Sequence, residues 1–121
     1  MARVLFVDDD PVSLETLSRA TEILGHEPVT AITGAQALRL ASSQSFDLIF
    51  SDIQLQDIDG FQLLQRLRET DNCNDMPIFI LSASPAIDAV EHSLEAGATA
   101  YLAKPLRLDA LEEIIEEYSK T

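Results

Sequence analysis

Five short apolar runs punctuate the chain: Val4-Leu5-Phe6-Val7, Pro28-Val29-Thr30-Ala31-Ile32, Leu48-Ile49-Phe50-Ser51, Pro77-Ile78-Phe79-Ile80-Leu81 and Thr99-Ala100-Tyr101-Leu102-Ala103. Runs of four or five residues are too short for surface helices, and near-continuous apolar character suits strands of a parallel sheet, most clearly at Leu48–Ser51. Between them, apolar residues recur at helical spacing: Leu14, Leu17, Ala20 and Leu24; then Phe61, Leu64 and Leu67; then Ile87, Val90 and Leu94; and last Leu108, Leu111, Ile115 and Tyr118. The remaining helix, from Gly34 to about Ser43, is announced by the capping-box spacing Thr33-Gly34-Ala35-Gln36. Asp10-Pro11 and Ser84-Pro85 read as a cap followed by a first-turn proline, Asp59 caps the third helix, and Gly25 and Gly97 stop the first and fourth. Five strands alternating with five helices through short connections predict an α/β fold, a doubly wound parallel sheet with helices on both faces.

Composition narrows the classes. At 121 residues the chain is expected to form a single domain, 1–121, with a core of its own and no linker, repeat or output domain. A formal net charge of -13 with only eight Lys and Arg argues against direct binding of nucleic acid or of an anionic membrane, since both need clustered cations. No apolar run approaches the roughly 20 residues that span a bilayer, and no charged-then-apolar leader opens the chain, so a cytoplasmic protein is expected. The lone Cys73 lies in the polar segment Asp71-Asn72-Cys73-Asn74-Asp75, which predicts an inert, exposed loop thiol. His26 and His92 read as solvent-facing.

Residues that can carry chemistry gather where strands end. Asp8 and Asp9 follow the first strand, Asp52 the third, Ser82 the fourth and Lys104 the fifth. Parallel strands bring all these ends to one edge of the sheet, the edge at which open α/β folds bind ligands. Two carboxylates about 4 Å apart repel by about 4 kcal/mol at an effective dielectric near 20. Three such groups need a compensating cation: Lys104 supplies one charge, and a divalent ion with an oxygen preference, Mg²⁺, would supply two. Asp10, by contrast, reads as a helix cap.

These pieces resemble the receiver domains of two-component response regulators, the family that includes the chemotaxis regulators. The resemblance spans the whole chain and rests on Val7-Asp8-Asp9-Asp10-Pro11, Asp47-Leu48-Ile49-Phe50-Ser51-Asp52, Asp59-Gly60, Leu81-Ser82-Ala83 and Tyr101-Leu102-Ala103-Lys104-Pro105, all in family order. It implies a flavodoxin-like, three-layer αβα fold with five strands in the order 2-1-3-4-5. It further implies that Asp52 accepts a phosphoryl group from a histidine kinase or histidine phosphotransfer protein. Mg²⁺ would be held by Asp9, by Asp8 chiefly through water, by Asp52 and by the Gln54 carbonyl. Ser82 and Lys104 would contact the phosphoryl oxygens, and Tyr101 would rotate as Ser82 is drawn inward. The implied role is a conformational switch, with self-catalysed phosphorylation and dephosphorylation as its only chemistry. The Lys104-Pro105 bond is implied to be cis. The output partner is left open, as is a phosphorylation-dependent homodimer through the last two helices.

Departures from the family pattern are few. Gln56 stands where proline is usual, which loosens the loop after Asp52, and Arg107 stands where a helix-capping residue is common. Three rivals carry less. A haloacid-dehalogenase-type phosphatase needs a second acid two residues after its nucleophile, and position 54 is Gln. A flavin carrier needs a phosphate cradle where this chain has Asp8-Asp9-Asp10-Pro11. A receiver-like interaction module that is not phosphorylated would be expected to lack part of the acid, Ser and Lys set, and none is missing.

Overall fold

Side chains on both faces of three adjacent strands are apolar, so those strands sit at the middle of the sheet and the helices are driven onto both of its sides. The computed structural model describes residues 1–70, 73, 75–83, 91 and 94–118. In it, β1 (Arg3–Val7), β2 (Glu27–Ala31), β3 (Leu48–Asp52), β4 (Ile78–Ser82) and β5 (Ala100–Ala103) form one parallel sheet in the order β2-β1-β3-β4-β5. Four helices are described: α1 (Pro11–Ile23), α2 (Gly34–Ser43), α3 (Gly60–Glu69) and α4 (Leu108–Tyr118). The expected helix between β4 and β5 falls mostly outside the described residues, Ser84, Pro85, Ile87, Val90 and His92 included; Glu91, Leu94 and Glu95 are helical.

The alternation of side chains along each strand divides the core in two. Leu5, Val7, Ile49, Ile78 and Ile80 meet Ala37, Ala41, Leu63, Leu64 and Leu67 of α2 and α3. On the other face Val4, Phe6, Leu48, Phe50, Phe79 and Leu81 meet Leu14 of α1 and Leu111 and Ile115 of α4. The register places Phe6 beside Phe50 and Phe50 beside Phe79, and the rings stack at 5.3 and 5.1 Å. Tyr118 closes the row edge-on to Phe79 at 5.0 Å. Each aromatic pair adds about 0.5–1.5 kcal/mol beyond simple burial, so this row helps fix the register that lines up the strand ends. The edge strands β2 and β5 are only partly buried, because each has a neighbour on one side alone.

Caps place the helix starts. The Asp10 carboxylate accepts from Val12 N at 3.0 Å and from Ser13 Oγ at 3.0 Å, with Pro11 in the first turn of α1. At α2, Thr33 Oγ1 accepts from Gln36 N at 3.1 Å, while the Gln36 amide oxygen accepts from Ile32 N at 2.9 Å, one residue before the partner a capping box uses. Asp59 Oδ1 accepts from Phe61 N at 2.7 Å at the head of α3. At α4 the Arg107 carbonyl accepts from Leu111 N at 2.9 Å, and its side chain reaches forward to Asp109 at 3.3 Å.

Two sequence expectations are corrected. Cys73 is fully buried, packed into the α2–α3 side of the core, although its neighbours in sequence are polar. Arg68 explains the discrepancy: its guanidinium donates to the carbonyls of Cys73 (2.8 Å), Met76 (2.5 Å) and Gly97 (2.9 Å), tying Cys73 and Met76 to α3. His26 is half-buried, and its Nδ1 accepts from Ala2 N at 2.9 Å.

Candidate functional site

Strand ends build the site. β1 runs out at Val7, so Asp8 and Asp9 emerge at its carboxyl end, while Asp52 is the last residue of the adjacent β3. Asp8, Asp9 and Asp52 offer carboxylate oxygens that all lie within 4.8 Å of one another. Lys104 follows β5 and reaches back, its Nζ 2.9 Å from Asp8 Oδ2 and 3.1 Å from Asp52 Oδ2. Ser82 ends β4, buried, one residue beyond Leu81, the register partner of Asp52. The backbone of Lys104 is tied to the same place, its N–H donating to the Ser82 carbonyl at 2.8 Å. The Lys104-Pro105 peptide is cis.

The three acids are not equivalent. Asp8 is buried and both of its oxygens are engaged: Oδ1 accepts from Asp10 N at 2.9 Å and Oδ2 takes Lys104. Asp9 is more open, and among the described residues its carboxylate makes no hydrogen bond or ion pair. Asp52 shares Lys104 with Asp8, and the Gln54 N–H approaches Asp52 Oδ1 at 3.5 Å, the outer limit of a hydrogen bond. Gln54 itself is exposed. Burial would push the Lys104 ammonium down, but its hydrogen bonds to Asp8 and Asp52, reinforced by the charge of both, outweigh that and hold its pKa above the ordinary lysine value.

Three carboxylates against one ammonium leave two negative charges uncompensated in a shared space, a match for one divalent cation. The donors are all oxygen, with no Cys or His among them, which suits Mg²⁺ and not a softer metal. Asp9, with its acceptor capacity open, is the strongest candidate for a direct ligand. Beside Asp8 and Lys104 a cleft of about 440 Å³ opens between α1 and the segment after β5, with Val12, Leu81, Pro105 and Leu106 in its walls.

Behind Asp52 the backbone is packed against Gly60. A Cβ at that position would lie 2.6 Å from Ile53 Cα, 2.7 Å from the Ile53 oxygen and 2.8 Å from the Asp52 oxygen. The start of α3 therefore buttresses the end of β3, and the Gly60 N–H donates to the Ile53 carbonyl at 2.9 Å.

The model for the response regulator receiver domain matches residues 4–116. The chain belongs to this family. Among solved structures, this receiver domain is similar to the chemotaxis protein CheY4 of Vibrio cholerae, with 29% identity, a TM-score of 0.92 and 98% of each chain covered. It is also similar to the receiver domain of sensor histidine kinase PA1611 of Pseudomonas aeruginosa, with 30% identity, a TM-score of 0.91 and 99% and 98% coverage; that structure has a magnesium ion coordinated in its active site cleft. Among curated proteins, the transcriptional regulatory protein PrrA of Mycobacterium tuberculosis is 43% identical over 109 residues, 90% of this chain and 46% of that protein. The hybrid signal transduction histidine kinase L of Dictyostelium discoideum is 33% identical over 99% of the receiver domain but only 7% of its own length. The chain thus spans about half the length of the first curated relatives it matches, and far less of the hybrid kinase. No helix among the described residues is long and apolar enough to cross a membrane.

One residue of consequence escaped the sequence reading. Asp57, in the loop between β3 and α3, accepts from Gly34 N at 2.8 Å and from Ala35 N at 2.9 Å, capping a helix 22 residues earlier in the chain. The two N–H groups hold its carboxyl below the usual carboxylate range. Nothing local distinguishes this acid from its neighbour in Asp57-Ile58-Asp59.

Proposed function

We propose that the chain is a phosphoacceptor switch of two-component signalling, with Asp52 as the nucleophile. The observation that carries this reading is the convergence of Asp8, Asp9 and Asp52 on one space with Lys104 bound to two of them. The donor is a phosphohistidine of a histidine kinase or phosphotransfer protein, entering from the open side of the site. A carboxylate oxygen of Asp52 attacks phosphorus, the phosphorus–nitrogen bond breaks, and the imidazole leaves with its electron pair as an acyl phosphate forms.

The residues divide the work. Lys104, held charged by its two acids, is already 3.1 Å from Asp52 Oδ2 and can follow the oxygens of the incoming group. Asp8 keeps Lys104 in place. Asp9, Asp52 and the Gln54 carbonyl, with Asp8 through water, would hold Mg²⁺, which when bound offsets charge on the transferring phosphoryl group. Ser82 stands on the neighbouring strand to donate its hydroxyl to a phosphoryl oxygen. Half-buried Tyr101, one strand further on, would move with Ser82 and alter the surface formed by β5 and its flanking helices. Such a response is a shift between two existing conformations, and moving from 1:99 to 99:1 takes about 5.5 kcal/mol of differential interaction.

The test is intact-mass measurement after incubation with Mg²⁺ and acetyl phosphate. Wild type should gain one phosphoryl group and Asp52→Asn none. A wild-type mass unchanged by acetyl phosphate, phosphoramidate and a phosphorylated histidine phosphotransfer domain would leave only an interaction module.

A further inference from the structure

The loop after Asp52 is held from a direction that the phosphoryl chemistry does not require. Asp57 spends both carboxylate oxygens on the first two N–H groups of α2, those of Gly34 and Ala35, at 2.8 and 2.9 Å. Thr33 Oγ1 takes the third, Gln36 N, so the donors that a helix start leaves unpaired are divided between a local cap and one from a distant loop. Gly34 is bare where Ile58 crosses it: a Cβ on Gly34 would collide with Ile58 Cγ2. Ile53, Leu55 and Ile58 lean against the same apolar cluster that α2 and α3 enclose.

From there the loop is mechanically short. Gln54 pairs with Asp59 in an antiparallel bridge, and Gly60 N donates to the Ile53 carbonyl at 2.9 Å, so a shift at Asp57 or Ile58 must be taken up at Ile53 and Gln54. Position 56, next to the anchoring acid, is Gln and supplies none of the backbone restraint a proline would. We propose that Asp57 is a positioning residue for the phosphoryl site: by gripping the first turn of α2 it fixes the backbone that follows Asp52, including Gln54, whose carbonyl the phosphoacceptor reading assigns to the metal. The depressed carboxyl of Asp57 agrees with this, since the two N–H bonds favour its charged form. Asp57 touches no reacting atom and acts through Gln54, and its effect on metal rests on the phosphoacceptor reading above.

The variants are Asp57→Ala, Asp57→Asn and Gly34→Ala. The last keeps the carboxylate and improves helix propensity, but forces Ile58 off α2. Mg²⁺ affinity is read by calorimetric titration, and the acetyl phosphate reaction is followed as a function of Mg²⁺ concentration. Asp57→Ala should weaken Mg²⁺ binding roughly tenfold, the low end for residues that orient a ligand, with the rate restored at saturating Mg²⁺. Gly34→Ala should do the same, and Asp57→Asn should fall between. A cap that only stabilised α2 would lower the unfolding temperature and leave the affinity of the folded protein unchanged, and that result overturns the proposal. Hydrogen exchange of the metal-free protein separates the two readings. Asp57→Ala should speed exchange at the Gly60 amide, which donates to the Ile53 carbonyl, with β3 and β4 unaffected, whether or not the wild type takes phosphate; unchanged exchange there overturns the clamp.

Discussion

Lys104 Nζ lies 2.9 Å from Asp8 Oδ2 although 96 positions separate them in the chain, and the same nitrogen is 3.1 Å from Asp52. One ammonium is thus shared between the ends of β1 and β3 from the far edge of the sheet. The two carboxylates hold Lys104 charged despite its burial, and that has a consequence for stability.

A raised lysine pKa means that stabilisation is complete below the unfolded value of 10.5 and is lost as pH rises through the higher folded value. In Mg²⁺-free urea titrations, wild type should exceed Lys104→Met by about 1–3 kcal/mol at pH 7. That margin should hold to about pH 10 and shrink only above the ordinary lysine range. A margin that disappeared between pH 6 and 8 would contradict the pairing.

Asp9 should matter only when the ion is present. At a Mg²⁺ concentration 100 times the dissociation constant, binding to the folded state alone adds about 2.7 kcal/mol. Wild type should therefore unfold several degrees higher with Mg²⁺ than with a chelator, and Asp9→Ala should show little of that increment by scanning calorimetry. Equal Mg²⁺ increments in the two proteins would remove Asp9 from the ligand set.

Gly60 and Gly25 are expected to respond differently to alanine. At Gly60 the new Cβ meets backbone atoms of Ile53 and Asp52 that cannot turn aside, so Gly60→Ala should cost at least about 2–3 kcal/mol in denaturant midpoint analysis and slow phosphorylation. At Gly25 the surroundings are open and only a φ of +87° opposes a side chain, so the cost should be about 1 kcal/mol without effect on the site.

Cys73 should be silent in the native protein. It is fully buried, and burial raises its thiol above the usual value, so the reactive thiolate is doubly scarce. Ellman's reagent at pH 8 should modify it on the timescale of global unfolding, and rapidly in denaturant; native modification within seconds would place it at the surface.

The strands and the acidic edge were legible in the linear text for a physical reason, whereas the sheet order came from the family resemblance. A parallel strand buried on both faces has to be written as a short apolar run, as β1, β3 and β4 are, and alternation with helices leaves few connectivities. Once the order is known, Asp8, Asp52, Ser82 and Lys104 have to share an edge, because each ends a strand or directly follows one. The helix caps at Asp10, Thr33 and Asp59 were readable as well, since their partners lie within three residues.

Contacts that depend on where distant loops come to rest were not readable. Cys73 looked exposed because its neighbours in sequence are polar; Arg68, reaching from α3 to three backbone carbonyls, decides otherwise. Asp57 resembled any loop acid until folding brought it against two N–H groups of α2. Periodicity and local capping are encoded within a few residues, so the chain announces them. The pairing of a side chain with a backbone group elsewhere follows from packing geometry, and only the assembled layers of sheet and helix decide it.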